Sequence, residues 1–200
     1  MSKTSDSPLV AYNLDDTELA LGFRVRDYKT ARDASPPDRH AIAKAIRSRF
    51  QNRYIDPVRA KPRGFTIMAV SCLMIEALES FLQGWESSDG QSKASFCFFF
   101  DEFDEFKDFR GHAQQFYKHV RCGILHQAET TGGWRIRKDP GSPLLSSAGR
   151  TINAVKFLKA LEIVLHRFCD DLEELSWDSV EWKNVRKKMN AIIRNCNTAG

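Results

Sequence analysis

No two cysteines of this 200-residue chain stand in C-x-x-C spacing, and its five (Cys72, Cys97, Cys122, Cys169 and Cys196) are odd in number and far apart. That sets aside a zinc ribbon and a disulfide-stapled secreted fold, and points to a reducing, cytoplasmic setting. Residues 1–10 (MSKTSDSPLV) lack both the basic start and the apolar run of a signal peptide. Also missing are G-x-G-x-x-G, a Walker loop, G-x-S-x-G, H-E-x-x-H and an EF-hand loop, so no cofactor is expected. Charge of one sign is scarce: the excess is +4, too small to identify a nucleic-acid binder by itself. With 42% hydrophobic and 28% charged residues, disordered and collagen-like chains are excluded. Strands do not alternate with helices, which argues against a doubly wound sheet.

What is present is helical periodicity. The longest apolar run, residues 65–82, is long enough to span a bilayer but carries Glu76 and Glu79, which are costly in hydrocarbon. It is expected to be a central core helix closed by Gly84, and no membrane partner is expected. Before it, Ile42, Ile46, Phe50 and Tyr54 recur every four residues, with Arg39, Arg47, Arg49 and Arg53 placed outside. Ser35-Pro36-Pro37-Asp38 reads as the start of that helix, with Ser35 as its cap. Earlier still, Leu19, Leu21, Phe23 and Val25 alternate as in a short strand, so residues 1–35 are expected to form an extended arm. Phenylalanine crowds residues 96–116, where Phe96, Phe99, Phe100, Phe103 and Phe106 make one apolar face and acids cover the rest. A helix follows from Gly111 to about Ala128. Trp134, Ile136 and the Asp139-Pro140-Gly141 turn suggest a β-hairpin or structured loop over residues 133–150. Thr151 and Ser176 are expected to start the last two helices. The fold class expected is all-α: an antiparallel bundle of five to six helices over residues 36–200 with a small β-hairpin insertion.

Charge is segregated along the chain. Residues 21–63 hold twelve Lys/Arg against four Asp, residues 86–108 seven acids against two Lys, and residues 183–194 five bases and no acid. Such blocks are solvated helix faces or partner surfaces. They leave open a DNA-binding reading on the basic block, or a scaffold that holds a partner on the acidic or basic helix.

Chemistry concentrates on one helix, with His112, His119, Arg121, Cys122 and His126. The three histidines recur every seven residues, a rise of about 10.5 Å, whereas the ligands of one zinc sit about 2 Å from it. No metal site is expected from them. Arg121 and His126 form the sharper pair. An imidazole can act as acid or base near neutral pH, and a guanidinium supplies permanent charge and a forked donor set matched to phosphate. Together they suit RNA cleavage without metal, in which a 2′-hydroxyl is deprotonated, a phosphorane neutralised and a 5′-oxygen protonated. Five helical residues turn the chain by about 500°, so the two side chains point about 140° apart. One copy makes a poor site, and two copies meeting across a two-fold axis can place four groups in one cleft. Glu76 or Glu79 can orient Arg121 or His126. Lys118 and His119 lie a turn earlier on the same helix, and Arg135, Arg137 and Lys138 follow closely enough to touch a phosphate backbone. Trp134 either anchors the hairpin or offers a stacking face to a base.

The R-x4-H of Arg121 and His126, late in an all-α bundle, resembles the signature of HEPN domains. The stretch 120–136 (VRCGILHQAETTGGWRI) is similar to HEPN proteins encoded near prokaryotic defence and plasmid genes. The resemblance implies a helical homodimer and a metal-independent endoribonuclease acting as a toxin or defence nuclease, with RNA as substrate and an antitoxin protein as partner. It equally implies the family's other form, a non-cleaving module that binds nucleotide, RNA or protein. Two positions depart from the family's pattern. Cys122 follows the Arg where active members often carry a polar residue, and Ala128 stands where members with a nucleotidyltransferase antitoxin often carry Tyr.

Overall fold

A computed structural model describes residues 13–146 and 150–197, and the chain in it is mostly helical with small strand pairs. Residues 1–10, read above for a signal peptide, and 147–149 of the expected insertion lie outside the described residues. Helix α1 (Val25–Asp33) precedes α2 (Arg39–Phe50), which runs through a π turn at Gln51–Ile55 into α3 (Asp56–Arg59). Next come α4 (Gly64–Leu82), α5 (Ser92–Glu102) and a 3-10 turn at Asp104–Phe109. A single rod follows, made of α6 (Ala113–Phe116), a π turn at Tyr117–Arg121 and α7 (Cys122–Gln127). Helices α8 (Ala154–Glu174) and α9 (Val180–Asn197) close the bundle.

Helix α4 is the central post. It packs against α5, α8 and α9, and buries Ile67, Met68, Met74, Ile75 and Leu78 among others. It ends at Gly84, whose φ of +64° is a left-handed conformation that favours glycine. A Cβ there would sit 2.6 Å from Asn184 Oδ1, because Asn184 of α9 reaches over to donate to the Leu82 carbonyl (2.6 Å). The Phe-rich segment is core, as its spacing predicts: Phe96, Phe99, Phe100, Phe103 and Phe106 are all buried. Phe116 stacks on Phe157 at 5.7 Å between centroids, which joins the α6–α7 rod to α8.

The structure differs from the sequence reading in several places. Residues 13–33 are not an extended arm: β1 (Glu18–Ala20) and β2 (Phe23–Arg24) form a small hairpin, and α1 buries Val25 and Tyr28. The cap of α2 is Asp38, which accepts from the Ala41 N–H (2.9 Å), not Ser35. The insertion is no hairpin either. Strand β3 (Arg135–Arg137) pairs in parallel with β5 (Thr151–Asn153), and β4 (Leu145–Ser146) pairs antiparallel to β5 on its other side. Thr151, expected to cap a helix, lies in β5, and Asn153 caps α8 by accepting from the Lys156 N–H (3.1 Å). Helix α9 starts at Val180, and Ser179 rather than Ser176 accepts the Trp182 N–H (3.3 Å).

Candidate functional site

The α6–α7 rod carries Arg121 and His126, and its middle turn is π-helical. Such i→i+5 turns occur mostly as local bulges and frequently at functional sites. The turn ends at Arg121, whose guanidinium faces α4. Its Nε donates to Glu76 Oε1 (2.8 Å) and its Nη2 to Glu76 Oε2 (3.2 Å). Ser92 Oγ, at the start of α5, donates to the same Oε2 (2.6 Å). The pair is well covered, with 16% of the Arg121 side chain and 10% of the Glu76 side chain exposed. Tyr117, one turn back, places its ring 5.6 Å below the guanidinium carbon. The Glu76 carboxylate keeps Arg121 firmly protonated against the cost of its burial.

Of the two acids named from the sequence, then, Glu76 holds Arg121 and Glu79 does not. Glu79 is fully buried, hydrogen-bonded by Gln83 Nε2 (3.3 Å), and burial pushes its carboxyl up to about 8. Ser92 and Tyr117, which complete the support of Arg121, were not singled out from the sequence. Nothing in the spacing marks Ser92, since its link to Glu76 is made by the packing of α5 on α4. Tyr117 precedes Arg121 by four residues and had an ordinary helical signal.

His126 sits exposed on the last turn of α7, and among the described residues no hydrogen bond or ion pair ties it down. Arg121 and His126 thus face different surroundings, as the turn angle requires, and one copy of the chain does not bring them together. His119 is clamped instead. Its Nδ1 lies 2.9 Å from Thr131 Oγ1, and its carbonyl accepts the Thr131 N–H (2.9 Å). Gly132, at φ +58°, lies so close that a Cβ would stand 2.6 Å from the imidazole. Burial, with Lys118 and Arg150 nearby, lowers the basicity of His119 and favours its neutral form. It fastens the turn after α7. Lys118 is exposed beside it.

The turn leads to a second feature. Arg135, Arg137 and Lys138 are exposed and line a cleft of about 570 Å³ with Glu129, Thr130 and the first residues of α4, Gly64 and Phe65. No side chain caps that end of α4, whose first residues lie beside this basic rim, and both a helix start and a basic rim favour a phosphate oxygen. Lys138 Nζ also donates to the Pro62 carbonyl (3.0 Å). Trp134 is buried edge-on to Phe116 at 6.1 Å, which makes it the anchor of β3 rather than a stacking platform. Among the described residues no three His, Cys, Asp or Glu side chains gather where they could share a metal ion. The five cysteines are free thiols. Searched against protein-family models, curated proteins and solved structures, the chain matches none of them.

Proposed function

We propose that the chain is a metal-independent endoribonuclease that acts as a homodimer, with one composite site built across the two-fold axis. The observation that carries this reading is the two-point grip of Glu76 on Arg121. That grip uses the Nε and Nη2 edge and leaves Nη1 to meet a phosphate oxygen in a set direction, which is what a transition-state clamp requires. His126, exposed on the same rod, supplies the proton transfers. One imidazole takes the proton of a 2′-hydroxyl as that oxygen attacks phosphorus. The P–O5′ bond breaks, and the imidazolium so formed gives its proton to the departing 5′-oxygen, leaving a 2′,3′-cyclic phosphate. Lys118, Arg135, Arg137 and Lys138 hold the flanking backbone through its charge. A toxin or defence role with a protein antitoxin goes with this reading through the HEPN resemblance.

The test is incubation of the purified protein with structured and single-stranded RNA in EDTA, beside Arg121→Ala, His126→Ala and Glu76→Gln. Cleavage to cyclic phosphate ends is expected for the parent and loss of it for the first two variants. Glu76→Gln, which loosens Arg121 without removing it, is expected to keep a small residual rate. Cleavage that survives in His126→Ala, or full activity from an obligate monomer, refutes the proposal. A second reading, a non-cleaving dimeric binding module for RNA, nucleotide or protein, is favoured by one fact: Glu76 already compensates the charge of Arg121, as in a purely structural pair. Under it RNA survives intact at high protein concentration while the dimer persists.

A further inference from the structure

A second cavity of about 370 Å³ opens between α2, α4 and α9, with Glu76, the partner of Arg121, in its wall. Two cations line it. Arg49, which the sequence placed on the outer face of α2, is instead partly buried and donates to the Leu19 carbonyl. Lys188 of α9 is also partly buried and donates to the Glu86 carbonyl (3.1 Å). Neither has a carboxylate partner among the described residues. The Glu86 carboxylate is taken by Arg194, and the cavity's own acid, Glu76, is taken by Arg121 and Ser92.

Two facts show that this arrangement is costly. Burial, followed by the neighbouring Arg53, disfavours the charged form of Arg49. Burial, followed by Arg49 itself, does the same to Lys188. Like charges half-removed from water, with no carboxylate partner among the described residues, are stabilised by a bound anion. Beside Glu76, Ser80 and Ser88, the wall has an apolar part: Tyr54, stacked on Phe50 at 5.5 Å between centroids, Leu73 exposed on α4, and Ile192 of α9. A pocket of this size, with converging polar groups beside an apolar wall, has the dimensions of a small-molecule site.

We infer that this cavity binds a small organic anion, its carboxylate or phosphate head between Arg49 and Lys188 and its flat apolar body against Tyr54 and Leu73. The site is separate from the basic cleft at β3, and it is measured without RNA, so its outcome does not depend on whether the chain cleaves RNA.

Calorimetric titration of the full chain with phenyl phosphate and with benzoate tests it, with inorganic phosphate and benzyl alcohol as the head and body alone. Saturable binding of phenyl phosphate or benzoate is expected, and the tighter of the two identifies the head. Lys188→Met and Arg49→Met should each weaken it about tenfold or more, the loss of one charge-assisted contact. Arg137→Met, in the other cleft, should leave it within about twofold, since its charge is too remote to matter at ordinary salt. If Arg49→Met fails to fold for want of the Leu19 contact, Lys188→Met decides alone. The assignment is overturned if neither aromatic anion binds, if benzyl alcohol or inorganic phosphate binds as tightly as phenyl phosphate, or if Lys188→Met binds as the parent does.

Discussion

Glu76 and Glu79 stand three residues apart on one apolar helix, and their neighbours give them opposite chemistry. Glu76 meets a guanidinium and a hydroxyl in a nearly closed pair. Glu79 meets only an amide, with Glu102 as a further unfavourable charge, and burial raises it from 4.5 to about 8. The sequence marked both as misfits in a core helix, but which of them meets Arg121 depends on how the α6–α7 rod lies against α4. A pH dependence follows for Glu79. Its folded carboxyl keeps a proton to about pH 8, whereas the unfolded one releases it near 4.5, so between those values the native state binds more protons. Stability must therefore fall as pH rises through that window. By pH 8 the loss is on the order of a few kcal/mol for a group this buried. Glu79→Gln keeps the shape and the hydrogen-bonding capacity but cannot ionise. Urea midpoints measured from pH 5 to 9 should decline for the parent and stay more nearly level for Glu79→Gln. Parallel declines in the two proteins would mean that Glu79 is not the group responsible.

At the scale of elements, periodicity predicted the helices from α2 onward, because apolar spacing reports burial directly, but the alternation of residues 19–25 hid α1. Gly84 closing α4 and the phenylalanine face of α5 are both found. The helix starts are less legible, for a common reason. Each entry offers several capping residues, and the direction from which the chain arrives selects Asp38 over Ser35, Asn153 over Thr151 and Ser179 over Ser176. The parallel pairing of β3 with β5 was equally hidden, since three-residue strands carry too little alternation to show their partners. The π turn gives no composition signal at all. Asn153 serves two elements at once. Its Oδ1 caps α8, while its Nδ2 donates to the Asp139 carbonyl (2.7 Å), tying the loop after β3 to the helix. It is 1% exposed, so water cannot replace either bond. Asn153→Ala should cost about 2–3 kcal/mol, a cap together with a buried acceptor left unmet. Asn153→Asp keeps the cap but loses the donor, and should recover only part of that. Thermal unfolding of the three proteins orders them parent, Asp, Ala, and an Asp variant no better than Ala would show that the cap contributes nothing.

For the whole molecule, the charge blocks largely answer one another. Arg47 of α2 pairs with Asp170 of α8, Arg59 of α3 with Glu162, Arg167 with Glu105, and Arg194 with Glu86. The basic block at residues 21–63 is in good part internal wiring, which removes the main support for a DNA-binding face. The bases without acid partners among the described residues include Lys118, Arg135 and Arg137 near the turn after α7, and Arg49 and Lys188 at the second cavity. The pair that resembles a nuclease signature was readable as residues but not as a site, because one copy of the rod sends Arg121 inward and His126 outward. Two copies are what the proposed chemistry needs, and this makes a prediction that no single-chain site shares. If both arginines and both histidines serve one cleft, a dimer of an Arg121→Ala chain with a His126→Ala chain still holds one Arg and one His there. Each variant alone should be inactive on RNA in EDTA. Unfolded together and refolded at equal concentration, they should form mixed dimers in about half of the population by random association and regain a measurable fraction of the parent rate. Mixed dimers isolated by two different affinity tags carry that activity if the site is composite. Isolated mixed dimers that are as inactive as either variant alone refute a site shared between the Arg121 of one copy and the His126 of the other.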